Sequence, residues 1–286
     1  MKVLVLGGGQ VATAVVEAAT RDCDIIAYPR AKLDIADGAA VAEALGAIKP
    51  NWIINAAAYT AVDRAEDEPT LAQAVNDTAV ASLAQGAMRH GGRLLHISTD
   101  FVFDGKSNRA YRPNDTTNPL SVYGSTKLAG ERHVLANAAG IVLRTSWVYA
   151  SSGKNFVLTM LKLMREREQI SVVADQIGSP TWARSLATAI WGLIEAKAAG
   201  GVYHWSDLGV ASWYDFAVAI QDEALQRGLL TRPAAILPIA TAAYPTKATR
   251  PGFSLLDTSA TRAAIVTPAR HWRHNLRTML DEIRTA

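Results

Sequence analysis

The chain has 286 residues, of which 49% are hydrophobic and 19% are charged, so it is long enough to bury a large core and lacks the composition of a disordered protein. Its 29 lysines and arginines against 26 aspartates and glutamates give a net charge of +3, and without a long basic run nucleic acid is not expected as a partner. The single cysteine, Cys23, excludes an internal disulfide and is typical of a reducing compartment, so we expect a cytoplasmic protein.

The first apolar run, Val3 to Leu6, resembles the core of an export signal only superficially, because three glycines follow it. No run in the sequence approaches the ~18 apolar residues of a membrane-spanning helix. We therefore expect neither an export signal nor a membrane partner.

Short apolar runs alternate with amphipathic stretches through the first 200 residues. The predicted strands are Lys2–Leu6, Asp24–Tyr28, Trp52–Ala57, Arg93–Ser98, Ile141–Ser146 and Ile170–Val173. The predicted helices are Gln10–Thr20, Ala39–Ile48, Glu66–Arg89, Ser121–Ala138, Asn155–Glu168 and Trp182–Ala196. This alternation predicts an α/β fold with a doubly wound parallel sheet that is covered by helices on both faces.

The pattern becomes irregular after Gly200. The remaining predicted segments are a strand at Val202–Trp205, a helix at Trp213–Arg227, a proline-rich stretch at Arg232–Pro251 and a final helix at Pro268–Arg284. We therefore expect residues 1–150 to form the sheet domain, with segments of 151–200 completing it, and residues 201–286 to form mainly a smaller, substrate-binding subdomain.

A glycine-rich turn joins the first predicted strand to the first predicted helix. The segment from Gly7 to Ala12 reads Gly-x-Gly-x-x-Ala, which in this setting is typical of a Rossmann-like, dinucleotide-binding fold. Gly7 permits the tight turn, Gly9 lets the backbone approach a pyrophosphate, and Ala12 lets the helix lie close to the strand. The alternative is a turn that binds nothing, but three consecutive glycines cost backbone entropy without an evident structural need.

The end of the second predicted strand bears on the choice of cofactor. Folds that bind NAD commonly place an acidic residue there for the ribose 2′-hydroxyl, whereas an arginine accommodates the 2′-phosphate of NADP. Here the strand is followed by Pro29 and Arg30, without a carboxylate, so NADPH is the expected cofactor, with NADH as the alternative. Arg30 is otherwise an ordinary surface residue, and Asp34 either reaches the adenine or caps the next helix.

Tyr123 and Lys127 lie four residues apart on one predicted helix and therefore share a face. Thr99 lies directly after the fourth predicted strand, at the carboxyl end where open α/β sheets bind their ligands. Reduction of a ketone needs a hydride from a nicotinamide cofactor, a proton, which Tyr123 supplies, and a hydrogen bond to the carbonyl oxygen, which Thr99 supplies. A free tyrosine has a pKa of about 10, so we expect the Lys127 cation to lower it. The alternative is an ordinary strand-end threonine and a solvated lysine.

Longer motifs cover nearly the whole chain. They lie within Asn55–Asp63, Ser98–Gly105, Pro119–Glu131, Arg144–Tyr149, Asp175–Thr181 and Arg250–Asp257. In these motifs the sequence resembles the extended short-chain dehydrogenase/reductases and, within them, the dTDP-4-dehydrorhamnose reductases. The resemblance implies a nucleotide-sugar substrate and reduction of the 4-keto group of dTDP-4-dehydro-β-L-rhamnose to dTDP-L-rhamnose.

The motifs and the resemblance together give the candidate site residues. The catalytic candidates are Thr99, Tyr123 and Lys127. The cofactor-binding candidates are Gly7, Gly9, Gln10, Val11, Arg30, Asp34, Ile35, Ala56, Ala57 and Ala58, together with Tyr123 and Lys127. The substrate-binding candidates are Val62, Asp63, Ser98, Thr99, Phe101, Trp147, Asn155 and Arg250. Arg250 is expected to bind the diphosphate, with a surface ion pair as the alternative, and Trp147 is either a pocket wall or a core aromatic.

The sequence departs from the family pattern in three places. The glycine turn is one residue shorter than usual, and Phe101 stands where a tyrosine is common. Some members carry two glutamates that join in an intersubunit magnesium site, but the corresponding positions here are Ala14 and Arg184. We therefore expect no metal and either a monomer or a metal-independent homodimer.

Two other classes of function stay open from the sequence. One is a reductase, epimerase or dehydratase of another nucleotide-linked 4-keto sugar, and the other is a non-catalytic NADP-binding regulatory module. Asp100 has no glutamate after it, which favours reduction over dehydration. The joint presence of Thr99, Tyr123 and Lys127 favours an enzyme.

Overall fold

A computed structural model of the chain describes residues 1–20, 22–266 and 268–285. The strands are β1 (Lys2–Leu6), β2 (Asp24–Tyr28), β3 (Trp52–Asn55), β4 (Arg93–Thr99), β5 (Ile141–Thr145), β6 (Val148–Tyr149), β7 (Gln169–Val173), β8 (Ile177–Gly178), β9 (Thr181–Trp182), β10 (Gly201–His204), β11 (Ala211–Ser212) and β12 (Ala235–Ile239).

The helices are α1 (Gln10–Glu17), α2 (Gly38–Ile48), α3 (Val62–Ala65), α4 (Pro69–Gln73), α5 (Ala79–Arg89), α6 (Val122–Leu135), α7 (Phe156–Glu166), α8 (Ala183–Glu195), α9 (Trp213–Gln226), α10 (Ser259–Ala264) and α11 (Trp272–Thr285). A π-helical turn at Ala74–Thr78 joins α4 to α5, and short 3₁₀ turns lie at Asp100–Val102 and Thr241–Ala243. Among the described residues, no helix has the length and apolar character needed to cross a membrane.

Six strands form one sheet in the order β10-β5-β4-β3-β1-β2, and all five pairings are parallel. The order reverses between β1 and β3, so the carboxyl ends of the strands open there into the crevice where doubly wound sheets bind ligands. The predicted fold class, α/β with a doubly wound parallel sheet, is confirmed.

Helices cover both faces of the sheet. Side chains on both faces of β1 are therefore buried, which explains why consecutive residues of this strand are apolar. Val3 and Val5 point to the core that α1 and α8 complete, and Leu4 and Leu6 point to the core that α2 and α5 complete. All four side chains are fully buried. The ends of β1, β3, β4 and β5 are therefore held rigidly relative to one another.

A second core lies beside the sheet and is built from α7, α9 and α11. Met160, Phe216 and Leu276 are buried in it, and β7 and β12 form a parallel two-stranded sheet next to it. The structure thus has a smaller unit that draws on residues both before and after position 200.

Three predictions about elements are wrong. Ile170–Val173 does not join the main sheet but pairs with β12. The strand predicted for the later subdomain, observed at Gly201–His204, is an edge strand of the main sheet because it pairs with β5. The long helix predicted over Glu66–Arg89 is interrupted, since Pro69 starts a new helix at its first position and the residue before a proline disfavours helical backbone.

Candidate active site

The glycine turn after β1 has the geometry that its sequence requires. Gly7 has φ of +118°, and a Cβ there would lie 3.0 Å from the backbone of Ala56 and Ala57, so a side chain is excluded. Gly9 is the N-cap of α1, and no side chain caps the helix there. A Cβ added at Gly9 would have no neighbouring atom within 4 Å. The free N–H groups of α1 therefore face open space, which suits an anion.

A cavity of about 240 Å³ lies beside this turn. Its lining includes eight of the predicted cofactor-binding residues, namely Gly7, Gly9, Arg30, Asp34, Ile35, Ala56, Ala57 and Ala58. The other four predicted cofactor residues, Gln10, Val11, Tyr123 and Lys127, line the adjoining catalytic cavity. The two cavities share Gly9 and the chain after β3, so an extended ligand can run from one to the other.

Arg30 and Asp34 pair with each other at the mouth of the smaller cavity. The guanidinium NH2 lies 3.0 Å from the Asp34 carboxylate, and the arginine side chain is 75% exposed. Asp34 also accepts a hydrogen bond from the backbone N–H of Ala36. The alternative in which Asp34 caps the next helix is wrong, because Asp37 caps α2 through the N–H groups of Ala39 and Ala40.

The larger, catalytic cavity has a volume of about 490 Å³ and lies at the ends of β4 and β5. Thirteen of its lining residues come from the predicted site: Gly9, Gln10, Val11, Ala56, Ala58, Val62, Ser98, Thr99, Phe101, Tyr123, Lys127, Trp147 and Arg250. The structure therefore brings the three predicted catalytic side chains to one cavity.

Tyr123 is buried beside Thr99 and Asp100. Burial raises the pKa of Tyr123 to about 12, while a hydrogen bond with Thr99 opposes the shift and the Asp100 charge adds to it. Asp100 is itself buried and accepts a hydrogen bond from the Thr99 hydroxyl at 3.1 Å, and burial raises its pKa to about 6. The prediction that Lys127 lowers the pKa of Tyr123 is wrong, because loss of hydration raises this pKa and the opposing contribution comes from Thr99, not from Lys127.

Lys127 is 1% exposed and its Nζ donates to the backbone oxygen of Ile97 at 2.6 Å. The same Nζ lies 3.0 Å from Nε2 of His96. Burial lowers the pKa of Lys127 to about 7, although the nearby Glu131 charge opposes the shift. The lysine is thus held in the cavity wall, and its pKa lies near neutral pH.

A buried ion pair that the sequence analysis missed supports Ser98. The Ser98 hydroxyl donates to Glu131 at 2.5 Å, and Arg144 donates to the two oxygens of Glu131 at 2.9 and 2.6 Å. The signal was an arginine inside the apolar run Ile141–Thr145, since a charge on a buried strand needs a partner. Ser98 is therefore fixed from behind while it lines the cavity.

Trp147 forms the far wall of the catalytic cavity with a tryptophan that the sequence analysis did not select. Its ring stacks on Trp213 at a centroid distance of 3.6 Å and an interplanar angle of 7°. Trp147 has φ of +48°, a conformation uncommon for a bulky residue, and a Cβ at Gly178 would come within 2.9 Å of its ring. Phe101 completes the wall by an edge contact with Tyr123 at 5.6 Å.

Arg250 pairs with Asp63 across the cavity mouth. Its NH2 and NH1 lie 2.8 and 3.1 Å from the two carboxylate oxygens, and these hydrogen bonds lower the pKa of Asp63. Asp63 also accepts from the backbone N–H of Ala248. Arg250 is thus in an ion pair and also lines the cavity, and its expected contact with a diphosphate stays a prediction.

The structure does not bring Asn155 to the cavity wall. Its Oδ1 caps α7 by accepting from the N–H of Leu158, and its Nδ2 donates to Oε1 of Gln10 at 3.0 Å. Gln10 in turn donates to the backbone oxygen of Lys154. Asn155 therefore fastens the start of α7 to the start of α1.

A third cavity of about 380 Å³ adjoins the catalytic cavity, and the two share Trp213 and Arg250. Its walls come from α7, β7 and the 244–250 segment, and they include Phe156, Met160 and Tyr244. No pattern in the sequence predicted this cavity. An apolar cleft with a few polar groups is typical of a small-molecule binding site.

The two positions expected to replace metal ligands lie together. Ala14 and Arg184 line a small cavity with Glu17 and Glu282, and the Arg184 guanidinium lies 2.7 Å from Glu282 and 3.8 Å from Glu17. A methyl group and a fixed cation do not fit a magnesium site. Within residues 1–20, 22–266 and 268–285, no group of three His, Cys, Asp or Glu side chains is placed to hold a metal ion.

A glycine turn at the switch point of a doubly wound sheet, with a threonine, a tyrosine and a lysine at one cavity, defines an oxidoreductase of the extended short-chain class. Comparison with known proteins narrows this class. The model of the family described as RmlD substrate binding domain matches residues 1–285. The chain belongs to this family, as the sequence motifs predicted.

Individual relatives carry two kinds of name. The chain is 42% identical over 260 residues to a dTDP-4-dehydrorhamnose reductase of Aggregatibacter actinomycetemcomitans, covering 89% of this chain and 88% of the relative. It is 40% identical over 284 residues to the spore coat polysaccharide biosynthesis protein SpsK of Bacillus subtilis, covering 98% and 97%. The crystal structure of dTDP-4-dehydrorhamnose reductase from Bacillus anthracis in complex with NADP has a TM-score of 0.92 at 35% identity, covering 98% of this chain and 99% of that one.

Proposed function

We propose that the protein reduces the 4-keto group of dTDP-4-dehydro-β-L-rhamnose with NADPH and forms dTDP-L-rhamnose. The observation that carries this proposal is the convergence of Thr99, Tyr123 and Lys127 on the cavity that also opens to the glycine turn. Relatives of similar length bear the matching name, and the Bacillus anthracis neighbour holds NADP.

The cofactor fits the groove formed by the 240 Å³ cavity and its junction with the catalytic cavity. The open space before α1 accepts the pyrophosphate, because the helix N-terminus offers unpaired N–H groups and a positive dipole end. Arg30 stands at the mouth of this groove and is exposed enough to reach a 2′-phosphate. When bound, NADPH supplies the hydride to the carbonyl carbon.

Tyr123 supplies the proton to the carbonyl oxygen. Its raised pKa, about 12, keeps it a neutral phenol at neutral pH, which is the form that a proton donor needs. Thr99 lies beside it, and its hydroxyl contacts Asp100 until a carbonyl oxygen offers another acceptor. Hydride to carbon and proton to oxygen together give the alcohol and leave Tyr123 as a phenolate that must be reprotonated.

The sugar fits the catalytic cavity against Trp147 and Phe101, and the base fits the apolar 380 Å³ cavity. Arg250 stands where the two cavities meet, so the diphosphate between sugar and base passes its guanidinium. A planar guanidinium can bind phosphate oxygens with two parallel hydrogen bonds. We assign the smaller unit around α7 and β7 to nucleotide binding, and Val62 and Ser98 to the sugar side of the cavity.

We also propose that the protein acts in the cytoplasm, as a monomer or as a homodimer that needs no metal. Support comes from the unpaired Cys23 and from the Arg184 cation that stands between two glutamates. Chromatographic size in the presence and absence of a chelator tests the second part.

The deciding experiment follows NADPH oxidation by the purified chain with dTDP-4-dehydro-β-L-rhamnose generated in situ, and identifies the product sugar by NMR. We expect NADPH to be consumed in equal amount to the dTDP-L-rhamnose formed. Bound NADPH without turnover would overturn the proposal in favour of a binding module. An alcohol with the opposite configuration at the fourth carbon would show that the substrate lies in the cavity the other way round.

A further inference from the structure

A chain of three buried polar side chains lies behind the catalytic cavity and joins the end of β3 to α6. Asn55 and His96 are fully buried and Lys127 is 1% exposed. Nδ2 of Asn55 lies 3.0 Å from Nδ1 of His96, and Nε2 of His96 lies 3.0 Å from Nζ of Lys127. Each ring nitrogen of His96 therefore has one partner, and neither partner is water.

A backbone group outside these three side chains fixes which atom donates in each of these hydrogen bonds. The backbone N–H of Ala57 donates to Oδ1 of Asn55 at 3.1 Å, so this oxygen must be the acceptor and the amide cannot be turned over. Nδ2 of Asn55 then faces His96 and donates to Nδ1. A neutral imidazole that accepts at Nδ1 carries its proton on Nε2, so an N–H of His96 points at Lys127.

This N–H determines which form of Lys127 is favoured. An ammonium has three donors and no lone pair, whereas a neutral amine can accept a hydrogen bond. The Nζ of Lys127 still donates to the oxygen of Ile97 at 2.6 Å, which the neutral amine can also do because it keeps two N–H groups. Donation from His96 thus stabilises the uncharged lysine and opposes the charged one.

The charged groups around Lys127 do not reverse this preference. Glu131, one turn further along α6, favours the ammonium, but both of its oxygens are engaged by Arg144. Tyr123 is neutral, and Asp100 on the same cavity favours the ammonium when it is ionised but accepts its hydrogen bond from Thr99. Burial also lowers the pKa of Lys127 to about 7, in the direction that the hydrogen bonds require.

We propose that His96, held in one tautomer by Asn55, is a positioning residue that keeps Lys127 a neutral amine until a polyanionic dinucleotide enters the cavity and Lys127 takes up a proton. The inference rests on the proposed function, since it takes NADPH as the anion. Negative charge in the cavity favours the ammonium. The proton then stands one helical turn from Tyr123, where its charge stabilises the phenolate that forms when Tyr123 protonates the carbonyl oxygen.

The first test reads the tautomer directly. In the full chain labelled with ¹⁵N-histidine, one of the six histidines should show a protonated Nε2 and an unprotonated Nδ1 across the neutral pH range, and its signal should be absent from His96→Asn. If that variant does not fold, through-bond correlation to the backbone of the wild type assigns the signal. A proton on Nδ1, or an imidazolium, would overturn the proposal.

The second test measures proton uptake when NADPH binds, by calorimetry in buffers of different ionisation enthalpy. We expect the wild type to take up close to one proton at mildly alkaline pH. In His96→Asn the new amide can still accept from Asn55 but does not reach Lys127, so the pH of maximal uptake should rise by about one unit, the effect of one hydrogen bond.

The matched control is His204→Asn, which removes another fully buried histidine on β10 whose ring contacts Tyr111 and Arg144. It should lower stability and leave the uptake profile unchanged. If NADPH binds and is oxidised normally but no proton is taken up, the role of His96 is wrong and the proposed function stands. If NADPH does not bind, the proposed function fails, and the tautomer measurement still decides the state of His96.

Discussion

The two sides of the catalytic cavity are built differently. On the sheet side, Thr99, Tyr123 and Lys127 are 6%, 9% and 1% exposed and sit on β4 and α6, which the core holds rigidly. On the loop side, Arg250 and Trp213 come from the later chain and are half-buried, and Arg250 is held by an ion pair with Asp63. Side chains on the sheet side are therefore tightly packed and have little contact with water. Side chains on the loop side are packed less tightly and are partly exposed to water.

This difference separates chemistry from recognition. In the buried part, loss of hydration shifts the pKa of Tyr123 upward and that of Lys127 downward, so burial favours the neutral form of both side chains. On the loop side, water screens the charges and single ion pairs contribute little. We therefore expect substitutions on the sheet side to change kcat, and substitutions on the loop side to change affinity for the nucleotide sugar.

The largest effect is expected for Tyr123→Phe, which removes only the hydroxyl and keeps the ring contact with Phe101. Loss of the proton donor should lower kcat by roughly 10²–10⁴-fold, while NADPH binding and folding stay nearly unchanged. Tyr111→Phe is the matched control, because that hydroxyl is also partly buried but donates to Asp104 outside the cavity. Steady-state kinetics check the pair, and near-normal turnover of Tyr123→Phe would remove Tyr123 from the mechanism.

On the loop side, Arg250→Leu should lower kcat/KM for the dTDP sugar by about tenfold or more, equivalent to about 1.4 kcal/mol per factor of ten. The loss should lie mainly in KM, because the diphosphate is bound equally in the ground state and the transition state. NADPH affinity should not change. Arg232→Leu serves as the control, since that arginine pairs with Glu168 on the surface. A variant that lost NADPH and kept the sugar would place Arg250 on the other ligand.

The same division explains what could be predicted from the sequence. The turn at Gly7 and the pair Tyr123 and Lys127 are local features, set by a positive φ and by helical spacing, so a few neighbouring residues reveal them. Thr99 followed from its position at the end of the fourth strand, and a family motif added Arg250. The elements of the main sheet were found because a strand buried on both faces is continuously apolar.

The rest depended on contacts between distant parts of the chain. Trp213 meets Trp147 and the strand of Gly201–His204 returns to β5 across more than 50 residues, and no local pattern encodes either contact. The effect expected of Lys127 on Tyr123 was wrong for a related reason. Sequence spacing shows that a cation is near but not how much water the fold removes from both groups, and here that removal dominates.

The pKa of Lys127 also leads to a prediction about how the free energy of unfolding depends on pH. Its folded pKa, about 7, lies below the ordinary value, so between about pH 7 and 10 the unfolded chain binds a proton that the folded chain does not. Stability should therefore rise with pH in this range, by up to about 1.4 kcal/mol per pH unit from this group. Denaturant unfolding of wild type and Lys127→Met at several pH values checks this, and parallel pH dependences would show that Lys127 is charged in the folded protein.

Arg30 lies at the exposed end of the cofactor groove, so its effect should be smaller. We expect a higher kcat/KM with NADPH than with NADH, and Arg30→Asp should reduce the ratio by about tenfold, because one charge-assisted hydrogen bond to the 2′-phosphate is lost in a solvated site. Lys32→Asp changes the charge equally in the same turn, where its amine lies over the Tyr28 ring, and should leave the ratio nearly unchanged. A higher kcat/KM with NADH than with NADPH in the wild type would show that Arg30 does not determine the choice of cofactor.

The smallest effect, none at all, is expected on chelation. The Arg184 guanidinium already places a positive charge between Glu282 and Glu17, and Ala14 contributes only a methyl group, so a divalent cation finds neither ligands nor an uncompensated charge. Activity and hydrodynamic size should therefore be the same with EDTA and with magnesium. Arg184→Glu replaces this cation by a third carboxylate beside the other two, and the melting temperature of that variant should rise with added magnesium while that of the wild type does not. A wild type that loses activity or changes size with EDTA would show that a metal binds despite the arginine.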